Sequence, residues 1–227
     1  SSHTTENTLF GREAGHSLNV IPYHNTFVGD HAGHADSSGD YNTFVGDYAG
    51  EDNTTADNNT CVGAFSGRNL ETITSQDPND NTFLGAFAGQ HTTTASSNVF
   101  VGSEAGSYNK TGHGNVYIGY QAGYGDDSLN PDPEIGDRNV FIGSYAGRDA
   151  SGSELLYIEN SSSNYPLIYG EFFNDLVAIN GTLNIGTSFG SSDARLKRDI
   201  RALDGSLDKL MDLQGVSYRW RVKDYPE

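Results

Sequence analysis

The sequence predicts an all-β fold: a parallel β-roll or β-solenoid of eight coils of about 17 residues, then a β collar and a short α-containing C-terminal segment. Three observations predict it. A nine-residue pattern occurs eight times, its core keeps a constant length, and all variation falls in the polar sequence between repeats. These polar stretches are therefore expected to be loops that project from one side of a regular stack.

Each repeat consists of Asn, Thr or Val, a variable residue, an aliphatic residue or Phe, Gly, two variable residues, Ala or Ser, and Gly. It begins at Asn7, Asn25, Asn42, Asn59, Asn81, Asn98, Asn115 and Asn139. The Asn suits a turn whose side-chain amide hydrogen-bonds from coil to coil. The glycines fit corners that need positive φ or close backbone approach. The small residue marks a position with no room for a larger group, and stability comes from stacking on neighbouring coils.

The short strand of each repeat is apolar on both faces, because successive side chains point in opposite directions. Positions are counted from the Asn of each repeat. The third position is Leu9, Phe27, Phe44, Cys61, Phe83, Phe100, Tyr117 and Phe141. Its fourth position is Phe10, Val28, Val45, Val62, Leu84, Val101, Ile118 and Ile142. One face can fill the chain's own coil. The other needs a second surface, which we expect identical chains to supply.

Two other interpretations of the strand are less favoured. The third-position aromatics could form an exposed adhesive stripe, but Leu9 and Cys61 suit a packed site better. The second position could form an ice-binding threonine ladder through Thr8, Thr26, Thr43, Thr60 and Thr82. The next three repeats, however, replace threonine with Val99, Val116 and Val140.

Residues 7–147 resemble the head repeats of YadA-like trimeric autotransporter adhesins, and the glycine-rich repeats of bacterial and phage tail-fibre proteins. In the adhesin heads, Asn, a short apolar strand, Gly and a small residue recur in every coil of a parallel β-roll. The resemblance implies a homotrimer.

Composition limits the partners and the domain plan. The chain of 227 residues has a formal net charge of −17, which disfavours nucleic acid and anionic membranes. Residues 1–190 hold 5 basic and 23 acidic side chains, whereas residues 191–227 hold 8 and 7. We therefore predict a solenoid domain at 1–150, a collar or stem at 151–190 and a separate segment at 191–227. No membrane-spanning stretch or signal peptide is recognised, and without a starting Met we expect a fragment of a longer chain.

The pattern changes from Ser153 onward. Four apolar runs, at 155–158, 166–173, 176–179 and 183–185, predict short strands of a collar. After them, the string "SSDARLKRDIRALDGSLDKLMDLQGVSYRWR" begins at Ser191 and contains a short helix predicted at about 206–213.

This C-terminal string resembles the start of the intramolecular chaperone domain of phage tail spikes and fibres such as endosialidases. The resemblance implies chaperone-driven trimerisation and, in many members, self-cleavage at a Ser-Asp step. Carried over, Ser192 is the nucleophile, Lys197 its base, and the bond before Asp193 the one cut. A serine hydroxyl does need such a base, which a desolvated lysine can provide. The alternative is that Ser192 caps a turn and Lys197 is solvated.

Few other residues point to chemistry. His31 and His34 lie close together in "DHAGH", but their spacing does not recur, so we predict no metal site and no cofactor. The acidic loops lack a calcium-binding pattern. The two longest insertions, Arg68–Asp80 and Tyr124–Arg138, are candidate recognition loops. Within the second, Tyr124 is the candidate stacking residue for a sugar, with Asp126 and Asp127 beside it.

The predicted function is attachment to a host or prey cell surface, through a glycan or protein receptor, by a trimeric fibre on a cell or virion. The chain is not expected to be an enzyme apart from single-turnover self-cleavage. The alternative is an enzymatic tail spike that degrades surface polysaccharide with paired carboxylates, although the acids here lie in variable loops.

Overall fold

A computed structural model describes residues 6–18, 24–70, 78–125 and 136–183. The chain divides into two compact units, Ser1–Thr182 and Leu183–Glu227, so the described residues belong to the first unit except for Leu183. They form eleven strands in a single sheet, ordered along the chain. Within these ranges no helix is present, and therefore none that could span a membrane.

Eight three-residue strands come from the eight repeats. They are β1 (Thr8–Phe10), β2 (Thr26–Val28), β3 (Thr43–Val45), β4 (Thr60–Val62), β5 (Thr82–Leu84), β6 (Val99–Val101), β7 (Val116–Ile118) and β8 (Val140–Ile142). Neighbouring strands are parallel and pair equivalent residues, for example Phe27 with Phe44. Hydrogen bonds between coils continue outside the strands, as from Gly33 N to Ala49 O at 2.9 Å. The predicted parallel solenoid of eight coils is confirmed.

The long insertions do not interrupt the ladder. Across them, Thr60 N donates to Asn81 O, and Val116 N donates to Asn139 O, both at 2.8 Å. The described chain stops at Leu70 and Gly125 and resumes at residues 78 and 136, three residues before the next Asn in both cases. The coils on either side of each insertion are therefore joined by the same ladder, while residues 71–77 and 126–135 lie outside the described part.

The core lies inside the coils and is built by the third position of the repeat, which is the middle residue of each strand. From the second coil onward these side chains are fully buried: Phe27, Phe44, Cys61, Phe83, Phe100, Tyr117 and Phe141. Their rings stack, with centroids 5.0 Å apart for Phe27 and Phe44 and 4.9 Å for Phe83 and Phe100. Burial at this position is thus confirmed from coil two onward, and an exposed aromatic stripe there is wrong. In the first coil Leu9 remains 45% exposed.

The conserved letters of the repeat have the roles that the sequence predicts. The side-chain oxygen of Asn42 accepts from the backbone N of Asn59 at 2.9 Å, and equivalent bonds join successive coils. A Cβ on Gly46 would lie 2.4 Å from the carbonyl oxygen of Gly63, so the backbones approach too closely for any side chain. Gly50 has φ +57°, and a Cβ there would meet the Phe44 ring at 2.5 Å. Ala49 is fully buried.

The collar region begins as a ninth rung of the same ladder. Strand β9 (Leu155–Ile158) pairs parallel to β8, and Leu155 N donates to the Asn139 side-chain oxygen at 2.8 Å. Strands β10 (Ile168–Glu171) and β11 (Leu176–Ile179) then continue the sheet antiparallel. Three of the four predicted apolar runs therefore contain strands. Leu183 lies outside any strand, while the rest of the fourth run and the predicted helix at 206–213 fall outside the described residues.

Candidate functional site

Most of the residues predicted to carry chemistry lie outside the described part of the chain. This applies to Ser192, Asp193 and Lys197 of the proposed cleavage site, and to Asp126 and Asp127 of the candidate recognition loop. Tyr124 is described. The described features that bear on function are Tyr124, the outward face of the sheet, and the corners of the coils.

Tyr124 lies at the base of the second long insertion and is partly buried. Its ring packs edge-on against Tyr108, with centroids 5.1 Å apart, and the Arg148 guanidinium carbon lies 5.3 Å from the ring centre. Burial, followed by the neighbouring Tyr108, raises the pKa of Tyr124 to about 12. The tyrosine is thus held in position by side chains of the two adjacent coils, and part of its surface is already covered.

The outward face of the sheet consists of the second and fourth positions of the repeat, which are the first and last residues of each strand, because the third position points inward. We call this set the outward stripe: residues 8, 10, 26, 28, 43, 45, 60, 62, 82, 84, 99, 101, 116, 118, 140 and 142. Its large apolar members reach solvent, with Leu84 38%, Ile118 40% and Ile142 36% exposed. The fourth position therefore contributes a partly exposed apolar side chain to successive rungs of this face.

The chemistry of the outward stripe changes along the stack. From β1 to β5 the second position is threonine, so apolar and hydroxyl side chains share each rung. From β6 to β8 both positions are Val or Ile. A regular hydroxyl array, as an ice-binding face would need, is therefore absent from three consecutive rungs of this surface.

A second column of side chains, which the sequence analysis did not single out, runs along a corner of the coils. Its members are the sixth residues after each Asn: Glu13, His31, Tyr48, Phe65, Phe87, Glu104, Gln121 and Tyr145. All have left-handed φ between 52° and 62°. We call this set the corner column. The sequence does contain a signal for this column, because aromatic residues are frequent at this position of the repeat. The position looks variable when only the identity of the residues is compared.

Several neighbours in the corner column are in contact. The rings of His31, Tyr48, Phe65 and Phe87 stack at centroid distances of 4.9, 5.2 and 5.1 Å. Further along, Gln121 Nε2 donates to Glu104 Oε2 at 2.7 Å. The Arg68 guanidinium carbon lies within 5.8 Å of the ring centres of Tyr48 and Phe65. The column therefore adds contacts between successive coils on the outside of the solenoid, separate from the buried core.

The first two coils bring three potential ligands together. Glu13 and His31 are neighbours in the corner column, and His34 lies three residues after His31. One ligand atom from each residue lies within 4.8 Å of the other two. His31 and His34 were candidates from the sequence whereas Glu13 was not, because one coil separates Glu13 from His31 along the chain.

The comparisons with known proteins bear on the C-terminal segment. The profile of the family described as the chaperone of endosialidase matches residues 192–227. No curated protein and no solved structure match the chain. The match agrees with the resemblance identified from the string beginning at Ser191. A parallel β-solenoid followed by a segment similar to the chaperone of endosialidase fits a protein of the tail-fibre or tail-spike type.

Proposed function

We propose that this chain is a segment of a homotrimeric fibre, displayed outside a cell or on a virion, that attaches to a host or prey cell surface. The solenoid forms the rigid body of the fibre. The segment at 191–227 begins the chaperone domain that gathers three chains in register. Recognition belongs to the loops that interrupt the solenoid.

The observation that carries this proposal is the outward stripe, in the same chain as a match to the family described as the chaperone of endosialidase. The core inside the coils is complete without the fourth-position side chains, which leaves Leu84, Ile118 and Ile142 for another surface. Eight similar coils can pair in several registers, and slippage between them is easily reached during folding. A C-terminal domain that aligns the chains first removes this ambiguity. Solenoid and chaperone thus require each other.

The proposed receptor is a cell-surface glycan or protein that binds the insertions after Leu70 and Gly125. Tyr124 is partly exposed at the base of the second insertion, and Asp126 and Asp127 follow it in sequence. Carboxylates and an aromatic ring are a common combination for sugar hydroxyls and the apolar face of a sugar ring.

A panel of bacterial surface polysaccharides tests attachment against the enzymatic alternative. The trimer is incubated with each polysaccharide, and both retention of the protein and the length of the polysaccharide are measured. We expect binding without shortening, weakened by Tyr124→Ala and unaffected by Tyr41→Ala on an exposed corner elsewhere. Release of shorter chains would establish the spike enzyme instead.

Self-cleavage is a separate part of the proposal. Ser192 is the nucleophile, Lys197 takes its proton, and the product begins at Asp193. The full-length protein and its Ser192→Ala variant are compared by intact mass after folding. We expect the parent to lose everything from Asp193 onward and the variant to remain whole, while equal masses would remove the serine and lysine from this role.

A further inference from the structure

We propose that Glu13, His31 and His34 form a site for a divalent transition-metal ion, best suited to Zn²⁺, that joins the first coil to the second. The site would use one carboxylate oxygen and two imidazole nitrogens, with water completing the coordination. This ligand set is typical of zinc sites with an open position.

The fold holds these residues in place before any ion binds. Glu13 and His31 are equivalent residues of adjacent coils, and both have φ of 55°. His34 is the ninth residue after Asn25, and its equivalent in the first coil, His16, stacks on it with ring centroids 5.1 Å apart. His31 is fixed on its other side by stacking on Tyr48 at 4.9 Å. Two neighbouring columns of the solenoid therefore supply ligands that are far apart in sequence.

The distances agree with those of a tetrahedral zinc site. Glu13 Oε2 lies 3.2 Å from His31 Nε2 and 3.3 Å from His34 Nε2. With zinc–ligand bonds of about 2.0–2.1 Å, neighbouring ligand atoms of a tetrahedron lie about 3.3 Å apart. The third separation, between one nitrogen of each imidazole, is at most 4.8 Å, so binding would require the two rings to move closer together.

The electrostatics of the cluster also favour a cation. Carboxylate oxygens face both ring nitrogens of His31, Glu13 Oε2 at Nε2 and Asp30 Oδ1 at Nδ1, whereas a neutral imidazole can donate to only one of them. On the other side of the His31 ring, Nδ1 lies 2.9 Å from Asp30 Oδ1, although neither atom has a well-aligned partner. A carboxylate behind a ligating imidazole is the usual second partner of a metal-bound histidine.

The surroundings supply one competing positive charge. Arg12 Nη2 lies 2.6 Å from Asp30 Oδ2, the oxygen that does not face His31. Arg12 therefore orients Asp30 without occupying the space between Glu13 and the histidines. Side-chain exposures of 42% for Glu13 and 31% for His34 leave the site open to an incoming ion and to a water ligand.

The repeat provides matched variants that keep the fold. Gln121 occupies the corner column, and Gln90 occupies the position equivalent to His34. The test variants are therefore Glu13→Gln and the pair His31→Gln with His34→Gln. The control is His24→Asn, an exposed histidine of the second coil at a position where a later coil has Asn58.

The test is a Zn²⁺ titration of the complete chain, made without a histidine tag and stripped with chelator, followed by calorimetry and by hydrogen exchange. We expect one ion per chain, with affinity lowered at least about 100-fold in the double histidine variant, about 10-fold or more in Glu13→Gln, and unchanged in His24→Asn. Zinc should slow amide exchange in residues 8–18, because Glu13 then ties the first coil to the second.

Two results would overturn the site. One is that the parent binds zinc no more tightly than the double histidine variant does. The other is zinc binding that leaves exchange in residues 8–18 unchanged, which would place the ion elsewhere. If the histidines carry only protons in the cluster, exchange is the same with zinc and with chelator, and this result also rejects the metal. These readouts do not depend on whether the fibre binds a receptor.

Discussion

Each Asn at the start of a coil uses its side chain to satisfy a backbone group of the next coil. The bond from Asn98 N to Asn81 Oδ1 is 3.0 Å, and that from Asn115 N to Asn98 Oδ1 is 2.8 Å. These residues are fully buried. A buried amide hydrogen without a partner is costly. Each of the eight coils therefore needs an Asn side chain to accept this hydrogen bond.

Replacing Asn98 with Ala should therefore destabilise the solenoid. The change leaves Asn115 N without its acceptor and also removes the bond from Asn98 Nδ2 to Asn81 Oδ1 at 3.1 Å. We expect a loss of about 2–4 kcal/mol in the free energy of unfolding, from two buried hydrogen bonds and one unsatisfied donor. Denaturant titration followed by circular dichroism measures it.

The control for this change is Asn69→Ala. Asn69 Nδ2 donates to Asp52 Oδ2 at 2.8 Å, but the pair is only partly buried. Removing it should cost less than about 1 kcal/mol. Equal losses at positions 69 and 98 would show that the ladder contributes no more than any polar contact.

Asp36 replaces the polar turn residue of other coils with a buried acid. Burial raises the pKa of Asp36 from 3.8 to about 7, although hydrogen bonds from Gly39 N at 2.8 Å and Asn53 Nδ2 at 3.1 Å act in the opposite direction. The folded state thus holds this proton more tightly than the unfolded state. Its contribution to stability is complete below pH 4, declines as the pH rises towards 7, and is lost above that.

Asp36→Asn should remove this pH dependence. Asn53 and Asn109 already occupy the equivalent position, and their side-chain oxygens accept from the backbone three residues later. The variant should match the parent near pH 4 and exceed its stability at pH 8 by up to about 4 kcal/mol, since each tenfold change in proton affinity corresponds to about 1.4 kcal/mol. Unfolding is measured at both pH values with chelator present. Asp47→Asn, an exposed carboxylate, should show no such gain, and an equal gain there would reject the assignment to Asp36.

At the scale of the coil, the role of a residue could be predicted from the sequence where the backbone geometry restricts which residue fits, and could not where it does not. The Asn, the two Gly and the small residue were interpretable because bonds, φ angles and close approach admit few alternatives. Strand β9 was not recognised as another rung because Leu155 stands in the place of Asn and Glu159 in the place of Gly. Its third-position residue, Tyr157, nevertheless lies under Phe141 with ring centroids 5.1 Å apart.

The interior of the coils conserves volume by pairing two positions. Where the third strand position is Phe, the residue nine positions later is Asp, Asn, Thr or Ala, as in Phe44 with Asn53. In the fourth coil the third position is the smaller Cys61, and the paired residue is Leu70, which is fully buried beside it. A Cβ built on Gly67 would meet both side chains, at 2.4 and 3.1 Å. Leu70 therefore fills the space that a ring takes in other coils.

This pairing predicts strong coupling between positions 61 and 70. Cys61→Phe alone should cost about 1–3 kcal/mol by overpacking against Leu70, and Leu70→Asn alone about 2–5 kcal/mol by leaving a cavity and a polar group. The double variant recreates the Phe44 and Asn53 pair and should recover more than 1 kcal/mol relative to the sum of the single changes. A double-mutant cycle by denaturant unfolding measures this. Additive losses would contradict a shared volume.

At the scale of the whole molecule, the sequence predicted that both strand faces are apolar but not which one is internal. The structure places the third position in the interior and leaves the outward stripe on the surface of the single chain. The Glu13, His31 and His34 cluster was not predictable from spacing, because residues one coil apart become neighbours only once the period is converted into a stack.

If the chain is a trimer as proposed, charges on the outward stripe should separate the chains without unfolding the coils. Leu84→Lys combined with Ile118→Lys places two ammonium groups where we propose apolar contact with the partner chains, and burying them unpaired is strongly unfavourable. The coil interior is untouched, because Phe83 and Tyr117 point inward. Light scattering after size exclusion should give three times the 24.4 kDa chain mass for the parent and a lower mass for the variant, with the β-sheet circular dichroism signal retained. Ser103→Lys, on an exposed corner outside the stripe, should keep the trimer. A monomeric parent, or a double-lysine variant that stays trimeric, would mean that the outward stripe is not the contact between chains.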